Sequence, residues 1–194
     1  WEMARTLSNQ MNVTLAMLGG NLSSDKFITH TYARNDWNSL APLISKSDVL
    51  LLTGDLLMDF PQLATCNKPL IIEATYPYTF EALQFHSGSP RDEQMSSFAR
   101  RLDIMHRAAL AGDFFFCATP RQRDYWLGVL DACGRINPDT YAADPMLYQL
   151  IDLVPFGLPS RQITHTAPAI KGVIPGIESS DQVILWGGGL WEWL

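Results

Sequence analysis

The chain has 194 residues, of which 47% are hydrophobic and 18% are charged. This composition excludes a disordered, highly solvated chain and favours a well-buried α/β core. The net charge of -6 and the absence of a Lys/Arg stripe argue against a nucleic-acid-binding surface.

The first predicted elements are a helix and a strand. Trp1, Ala4 and Leu7 recur at a helical period, and residues 11–18 form a mainly apolar run that ends at two glycines. A parallel sheet is built from strand–helix–strand units, because the return crossover needs a helix. We therefore expect a further strand before Trp1, and we expect the chain to be a piece of a longer protein.

The middle of the chain alternates predicted strands with predicted helices. Strands are predicted at residues 27–32, 49–55, 69–74 and 114–119. Helices are predicted at residues 37–46, 77–85, 91–112 and 120–133, with a short helical turn over residues 56–64. Residues 49–52 are all apolar, which predicts a strand that is buried on both faces. The long helix is predicted to bury Met95, Phe98, Leu102, Met105 and Ala109.

The last third of the chain contains two predicted strands joined by a linker. A short helix is predicted from Asp144 through Ile151, followed by a strand over residues 153–159 that stops at proline and glycine. A second apolar strand, over residues 183–186, runs into three glycines and a helix-like segment at residues 190–194.

These elements predict an α/β fold with a doubly wound parallel sheet of the Rossmann-like type. Residues 1–159 would form one such domain without its first strand. Residues 160–181 would be a linker, and residues 182–194 would be the first strand and glycine-rich loop of a second Rossmann-like domain.

The three cysteines, Cys66, Cys117 and Cys133, are widely spaced. They form neither a Cys-x-x-Cys motif nor a Cys/His pair at metal-ligand spacing. We expect reduced, mostly buried thiols in a reducing compartment, and no metal.

Four parts of the chain carry a family resemblance. They are the opening helix and strand, residues 116–128, the sequence Val154-Pro155-Phe156-Gly157, and residues 183–189. In their order and spacing these parts resemble the two-domain nucleotide-sugar glycosyltransferases of the GT-B type, closest to the large retaining group called family four. Residues 1–159 would then be the acceptor-side domain.

The resemblance implies sugar transfer from a nucleotide-sugar donor to a polysaccharide or lipid-linked acceptor. The donor is a co-substrate, so no bound cofactor is expected. The family's paired acidic donor motif would lie beyond Leu194, which implies that residues 1–194 alone are inactive. The expected location is cytoplasmic, with contact at the inner face of the membrane left open.

Candidate substrate-binding residues follow the predicted strands, because ligands of such sheets bind at the carboxyl ends of the strands. Asp55 would either orient acceptor hydroxyls or cap the next helix. Glu73 lies near the end of a predicted buried strand, where an unpaired acid is costly, so it should face a cleft or be paired. Tyr76 would either stack on a sugar or simply pack in the protein.

Two further candidates are cationic or titratable. Arg121 lies in the first turn of a predicted helix, where a cation opposes the helix dipole, so it would either bind an anion or acidic partner or be exposed to solvent. His106, within the long helix, is the best histidine candidate for a base in the cleft, and the alternative is an exposed or hydrogen-bonded histidine.

Gly187, Gly188 and Gly189 would let backbone N–H groups approach the donor diphosphate at a helix N-terminus. The alternative is a tight strand-to-helix turn with positive φ angles.

Two other functions stay open at this point. One is another nucleotide-cofactor enzyme, although no G-x-G-x-x-G sequence follows any strand. The other is a Rossmann-like interaction module without a catalytic site.

Overall fold

The computed structural model describes residues 1–20, 22–157 and 164–188. The chain divides into two compact units, Trp1–Pro155 and Phe156–Leu194. The predicted boundary between residues 159 and 160 lies outside the described residues, and the assignment of domains stays a prediction.

The strands of the first unit are all parallel, as the alternation of strands and helices predicts. They are β1 (Thr14–Leu18), β2 (Ile28–Tyr32), β3 (Leu50–Thr53), β4 (Leu70–Glu73), β5 (Phe114–Cys117) and β6 (Ile151–Leu153). The α/β class with parallel sheets is therefore confirmed, and it is compatible with a Rossmann-like fold. The strands form two sheets rather than one, β1–β2 and β3–β4–β5–β6.

The predicted helices are present as α1 (Glu2–Leu7), α2 (Ala41–Lys46), α3 (Leu56–Asp59), α4 (Tyr78–Phe85), α5 (Arg91–Ala111) and α6 (Pro120–Ala132). The bounds of α4, α5 and α6 agree with the prediction within one residue, whereas α2 begins four residues later and α3 ends five residues earlier than predicted. Short 3₁₀ helices precede α2 and follow α3. The caps follow sequence signals: Asp36 accepts a hydrogen bond from the Asn38 N–H, and Gly134 ends α6 with a φ of 69°.

One row of side chains across the larger sheet forms the centre of the core. Leu52, Ile72, Phe115 and Ile151 occupy matching positions in the four strands, and none is more than 6% exposed. The preceding residue of β3, Leu51, points to the opposite face and is 42% exposed. Burial of β3 on both faces was therefore a wrong prediction, because β3 is an edge strand of this sheet in the described residues.

The long helix α5 buries only its C-terminal half. Ile104, Met105, Ala108 and Ala109 are its buried residues, whereas Met95 is 51% exposed. The predicted apolar stripe is correct at Met105 and Ala109 and wrong at Met95, because the sheet lies against the later turns of the helix.

The segment after α6 differs from the prediction. A helix α7 spans Pro138–Ala143 and is capped by Asn137, whereas the predicted helix from Asp144 is a turn that leads directly into β6. The Asp144 carboxylate accepts hydrogen bonds from the N–H groups of Met146 and Gln149, and Arg123 donates to the Ile151 carbonyl oxygen at 3.0 Å. These side-chain contacts satisfy backbone groups that a helix would otherwise pair.

The structure also differs from the strands predicted at residues 153–159 and 183–186. β6 ends at Leu153, and Val154 is 48% exposed. Residues 183–188 form no strand, and Ile184 is fully exposed. A strand exists only through pairing with a neighbour, and none pairs with these residues in the part of the chain that the structure describes. The predicted helix-like segment at residues 190–194 lies outside the described residues.

Among the helices of the described residues, none has the length and apolar character needed to cross a membrane.

Gly112, which follows α5, gives a test of the packing at the core. A Cβ atom there would lie 2.6 Å from Ile72 Cγ1 and 2.6 Å from Phe115 Cζ. We expect Gly112→Ala to lower the free energy of unfolding by about 1–3 kcal/mol, measured by urea denaturation. Gly128→Ala is the control: no atom outside its own helix backbone and chain neighbours lies within 4 Å of a Cβ there, and alanine at this exposed position of α6 should stabilise the helix by up to about 1 kcal/mol. Equal effects of the two substitutions would contradict this packing.

Asp144 gives a test of the turn before β6. Backbone N–H groups, that of Gln149 foremost, hold the pKa of the Asp144 carboxyl below its ordinary value. A lowered pKa stabilises the fold above the ordinary carboxyl pKa and loses that contribution as the pH falls through the folded value. Asp144→Asn should therefore unfold at lower urea than the wild type at pH 7, and this difference should shrink in acid. A difference independent of pH would show that the carboxylate has no such role.

Candidate functional site

The carboxyl edge of the larger sheet collects polar side chains from two neighbouring strands. Glu73 is the last residue of β4 and is paired in register with Thr53 of β3. Asp55 lies two residues after β3, and Tyr76 lies three residues after β4. Because β3 and β4 are parallel, the three predicted binding residues Asp55, Glu73 and Tyr76 follow strand ends at one edge of the sheet.

Glu73 lies on the face of the sheet opposite the buried central row. It shares a row with Thr53, Phe116 and Asp152, and its side chain is half-buried. The Thr75 hydroxyl donates to Glu73 Oε1 at 3.2 Å. Within the described residues Glu73 forms no ion pair, so a neutral hydroxyl rather than a cation contacts the carboxylate.

Asp55 does not act as a helix cap, which was one of its two predicted roles. It stands at the N-cap position of α3, but its side chain accepts no hydrogen bond from the helix. Its Oδ1 atom accepts from Arg101 Nη1 at 3.1 Å, which links the end of β3 to α5. The two side chains are 48% and 33% exposed, so this ion pair contributes about 0–1 kcal/mol.

Gly54 lies between β3 and Asp55 and is in close contact with Tyr78. The Gly54 N–H donates to Tyr78 Oη at 3.1 Å, and a Cβ atom on Gly54 would lie only 3.0 Å from Ala108 Cβ. Burial, followed by the charge of Asp55, raises the pKa of Tyr78. Tyr78 is therefore a neutral phenol in the core that fixes the end of β3.

Tyr76 is the exposed aromatic residue of this edge. Its ring is 6.0 Å from the ring of Tyr78, and the residue is 42% exposed. Burial is the main cause that raises the pKa of Tyr76, followed by the negative charges of Glu73, Glu81 and Asp55. Tyr76 is thus a protonated hydrogen-bond donor at neutral pH, and the nearby carboxylates favour this protonated form.

Gln122 joins this edge to the neighbouring strand, and the sequence-based candidates did not include it. Its Oε1 atom accepts from the N–H groups of Ala118 and Thr119, while its Nε2 atom donates to the Thr75 carbonyl oxygen at 2.9 Å. Thr119 and Gln122 also form a capping box at the start of α6. The Thr-x-x-Gln spacing was a readable signal for that cap, but not for the contact with Thr75.

The structure does not bring Arg121 or His106 into these contacts. Arg121 is exposed in the first turn of α6, and binding of an anion there stays a prediction. His106 is exposed on α5, on the side of the helix opposite the buried residues Ile104 and Ala108. Its predicted role as a base in the cleft gains no support from this position.

The glycine-rich segment is described only in part. Gly187 and Gly188 are exposed, and neither has a positive φ angle. Gly189 lies outside the described residues, so binding of a diphosphate by this loop stays a prediction.

The potential metal ligands among the described residues are histidine, cysteine, aspartate and glutamate side chains. No group of three or more His, Cys, Asp and Glu residues there is arranged to hold a metal ion. Cys66, Cys117 and Cys133 are free thiols, and burial raises the pKa of Cys117. Cys117 is buried in the core, whereas Cys66 and Cys133 are only partly buried against it, so the prediction of mostly buried thiols is correct for Cys117 alone.

Comparison with known proteins found no significant match to a family model, a curated protein or a solved structure.

The charge of Glu73 can be tested through Tyr76. Removal of a negative charge eases deprotonation of the phenol, so Glu73→Gln should lower the pKa of Tyr76. That pKa should still exceed the ordinary tyrosine value, because burial is its largest cause. The measurement is an NMR titration of ¹³Cζ-labelled tyrosine, with Glu2→Gln on α1 as the control. An unchanged Tyr76 titration in Glu73→Gln would show that the two groups do not interact.

Proposed function

We propose that residues 1–155 form the acceptor-side unit of a nucleotide-sugar glycosyltransferase of the GT-B type, which transfers a sugar to a polysaccharide or lipid-linked acceptor. The observation that carries the proposal is the grouping of Glu73, Tyr76 and Asp55 at the carboxyl edge of a parallel sheet. That edge is where ligands of open α/β sheets bind.

The residue types of this edge suit a sugar. Carboxylates accept hydrogen bonds from hydroxyl groups, and hydrogen bonds to a charged group are stronger than those between neutral groups. The partly exposed ring of Tyr76 offers an apolar face for the C–H side of a sugar, and its phenol can donate to a ring or hydroxyl oxygen. Together these groups favour a neutral, polyhydroxylated ligand.

The charge of the edge argues against a diphosphate at the same place. Arg101 is already paired with Asp55, and Glu73 and Glu81 add negative charge near Tyr76. An anionic ligand would be repelled unless further cations came with it. We therefore assign the acceptor to this edge, and the donor diphosphate to the glycine-rich segment at residues 187–189 and to the domain expected to follow it.

A second candidate, a non-catalytic interaction module, is favoured by one observation. On α4, Phe80 is 61% exposed and Leu83 is 58% exposed, and they lie three residues apart on one side of the helix. Such a pair is suited to contact with another apolar surface. An interaction module of this kind requires no ligand at the carboxyl edge, whereas the glycosyltransferase proposal does.

The experiment is ligand-observed saturation-transfer NMR on residues 1–194. The probes are the methyl glycosides of glucose, galactose, mannose and N-acetylglucosamine, with UDP, GDP, ADP, NAD and S-adenosylmethionine as competitors. We expect signals from at least one glycoside and no displacement by a nucleotide. Tyr76→Ala and Glu73→Gln should each weaken binding by about tenfold, the effect of losing one contact to a charged or aromatic group.

Tyr141→Ala is the control for Tyr76→Ala, because Tyr141 is 57% exposed on α7. It should leave binding unchanged. Absence of any glycoside signal would overturn the acceptor-side proposal and favour the interaction module. Binding of NAD or S-adenosylmethionine by residues 1–194 would instead favour a nucleotide-cofactor enzyme.

A further inference from the structure

Gln122 connects the ends of two strands through one side chain. Ala118 and Thr119 follow β5, and their N–H groups donate to Gln122 Oε1 at 2.9 and 3.0 Å. Thr75 follows β4, and its carbonyl oxygen accepts from Gln122 Nε2 at 2.9 Å. The amide group therefore uses its acceptor for one strand end and its donor for the other.

Thr75 links this contact to the candidate binding residues. Its hydroxyl donates to Glu73 Oε1 at 3.2 Å, and its carbonyl oxygen, which accepts from Gln122, precedes Tyr76 in the chain. The adjacent Ala74 N–H continues the sheet by donating to the Phe116 carbonyl oxygen at 2.7 Å. Beyond that bond the backbone leaves the sheet, and the contact with Gln122 constrains its path at Thr75.

We propose that Gln122 is a positioning residue of the candidate acceptor site, which holds Glu73 and Tyr76 in place through Thr75. The inference rests on the proposed function for the identity of the ligand. The effect of Gln122 on residues 74–78 is inferred from the geometry alone. Gln122 contacts no acceptor in this proposal; it fixes the backbone from which the binding side chains project.

The amide of Gln122 has two separable tasks, which makes the proposal testable. Gln122→Glu keeps oxygen acceptors for Ala118 and Thr119, and glutamate is equally suited to a capping box. A carboxylate cannot donate to the Thr75 carbonyl oxygen, so this substitution removes only the link to β4. Thr119→Ala is the matched variant, because it removes the hydroxyl of the cap while Gln122 Nε2 can still donate to Thr75.

The first measurement is hydrogen exchange of residues 74–78, followed by mass spectrometry on the full 194-residue chain. We expect about tenfold faster exchange in Gln122→Glu, the effect of losing one hydrogen bond, and wild-type exchange in Thr119→Ala. The melting temperature should fall more in Thr119→Ala than in Gln122→Glu. Exchange at residues 74–78 that is equal in Gln122→Glu and the wild type overturns the proposal.

The second measurement is saturation-transfer NMR with the four methyl glycosides named above. Gln122→Glu should weaken glycoside binding while its melting temperature stays near that of the wild type, and Thr119→Ala should bind normally. Normal binding by Gln122→Glu, in a chain whose wild type binds, would overturn the positioning role. If the wild type binds no glycoside, the proposed function fails, and the exchange measurement still decides the action of Gln122 on residues 74–78.

Discussion

The larger sheet depends on the burial of one row of side chains. Leu52, Ile72, Phe115 and Ile151 come from four different strands and meet in the same row, each nearly or fully removed from water. Each such side chain stabilises the fold by about 1.5–3 kcal/mol relative to an exposed position. A shift of one residue in any strand would turn its apolar side chain to the opposite face, so this row sets the register of the whole sheet.

The register in turn decides what gathers at the carboxyl edge. With Ile72 in the buried row, the next residue, Glu73, must point to the other face, beside Thr53 and Phe116. The same alternation brings Gly54 to the core side, where Tyr78 and Ala108 lie against it. The polar edge is thus a consequence of core packing, with Glu73 on the last residue of β4 and Asp55 in the turn between β3 and α3.

The two strand ends of the candidate site are held in different ways. The end of β3 is fixed by a buried contact, Gly54 with Tyr78, and by the partly exposed ion pair of Asp55 with Arg101. The end of β4 is fixed by the hydrogen bond from Gln122 to the Thr75 carbonyl oxygen and by that from the Thr75 hydroxyl to the Glu73 carboxylate. Neither is an ion pair, so the geometry around Glu73 should depend less on ionic strength than the exposed pair of Asp55 with Arg101.

The sequence by itself determined the strand and helix alternation, the parallel pairing and the position of Glu73 and Asp55 at strand ends. These features follow from local period, from glycine and proline signals, and from the rule that parallel strands need crossovers. It did not determine the turn at Asp144, the partial exposure of Leu51 or the absence of a strand at residues 183–188, because each depends on which neighbours are present in space. Only the tertiary structure paired Asp55 with Arg101 and joined Gln122 to Thr75, across 46 and 47 residues of chain. Contacts at such separations leave no periodic trace, since they arise from the packing of elements and not from the local pattern of either one.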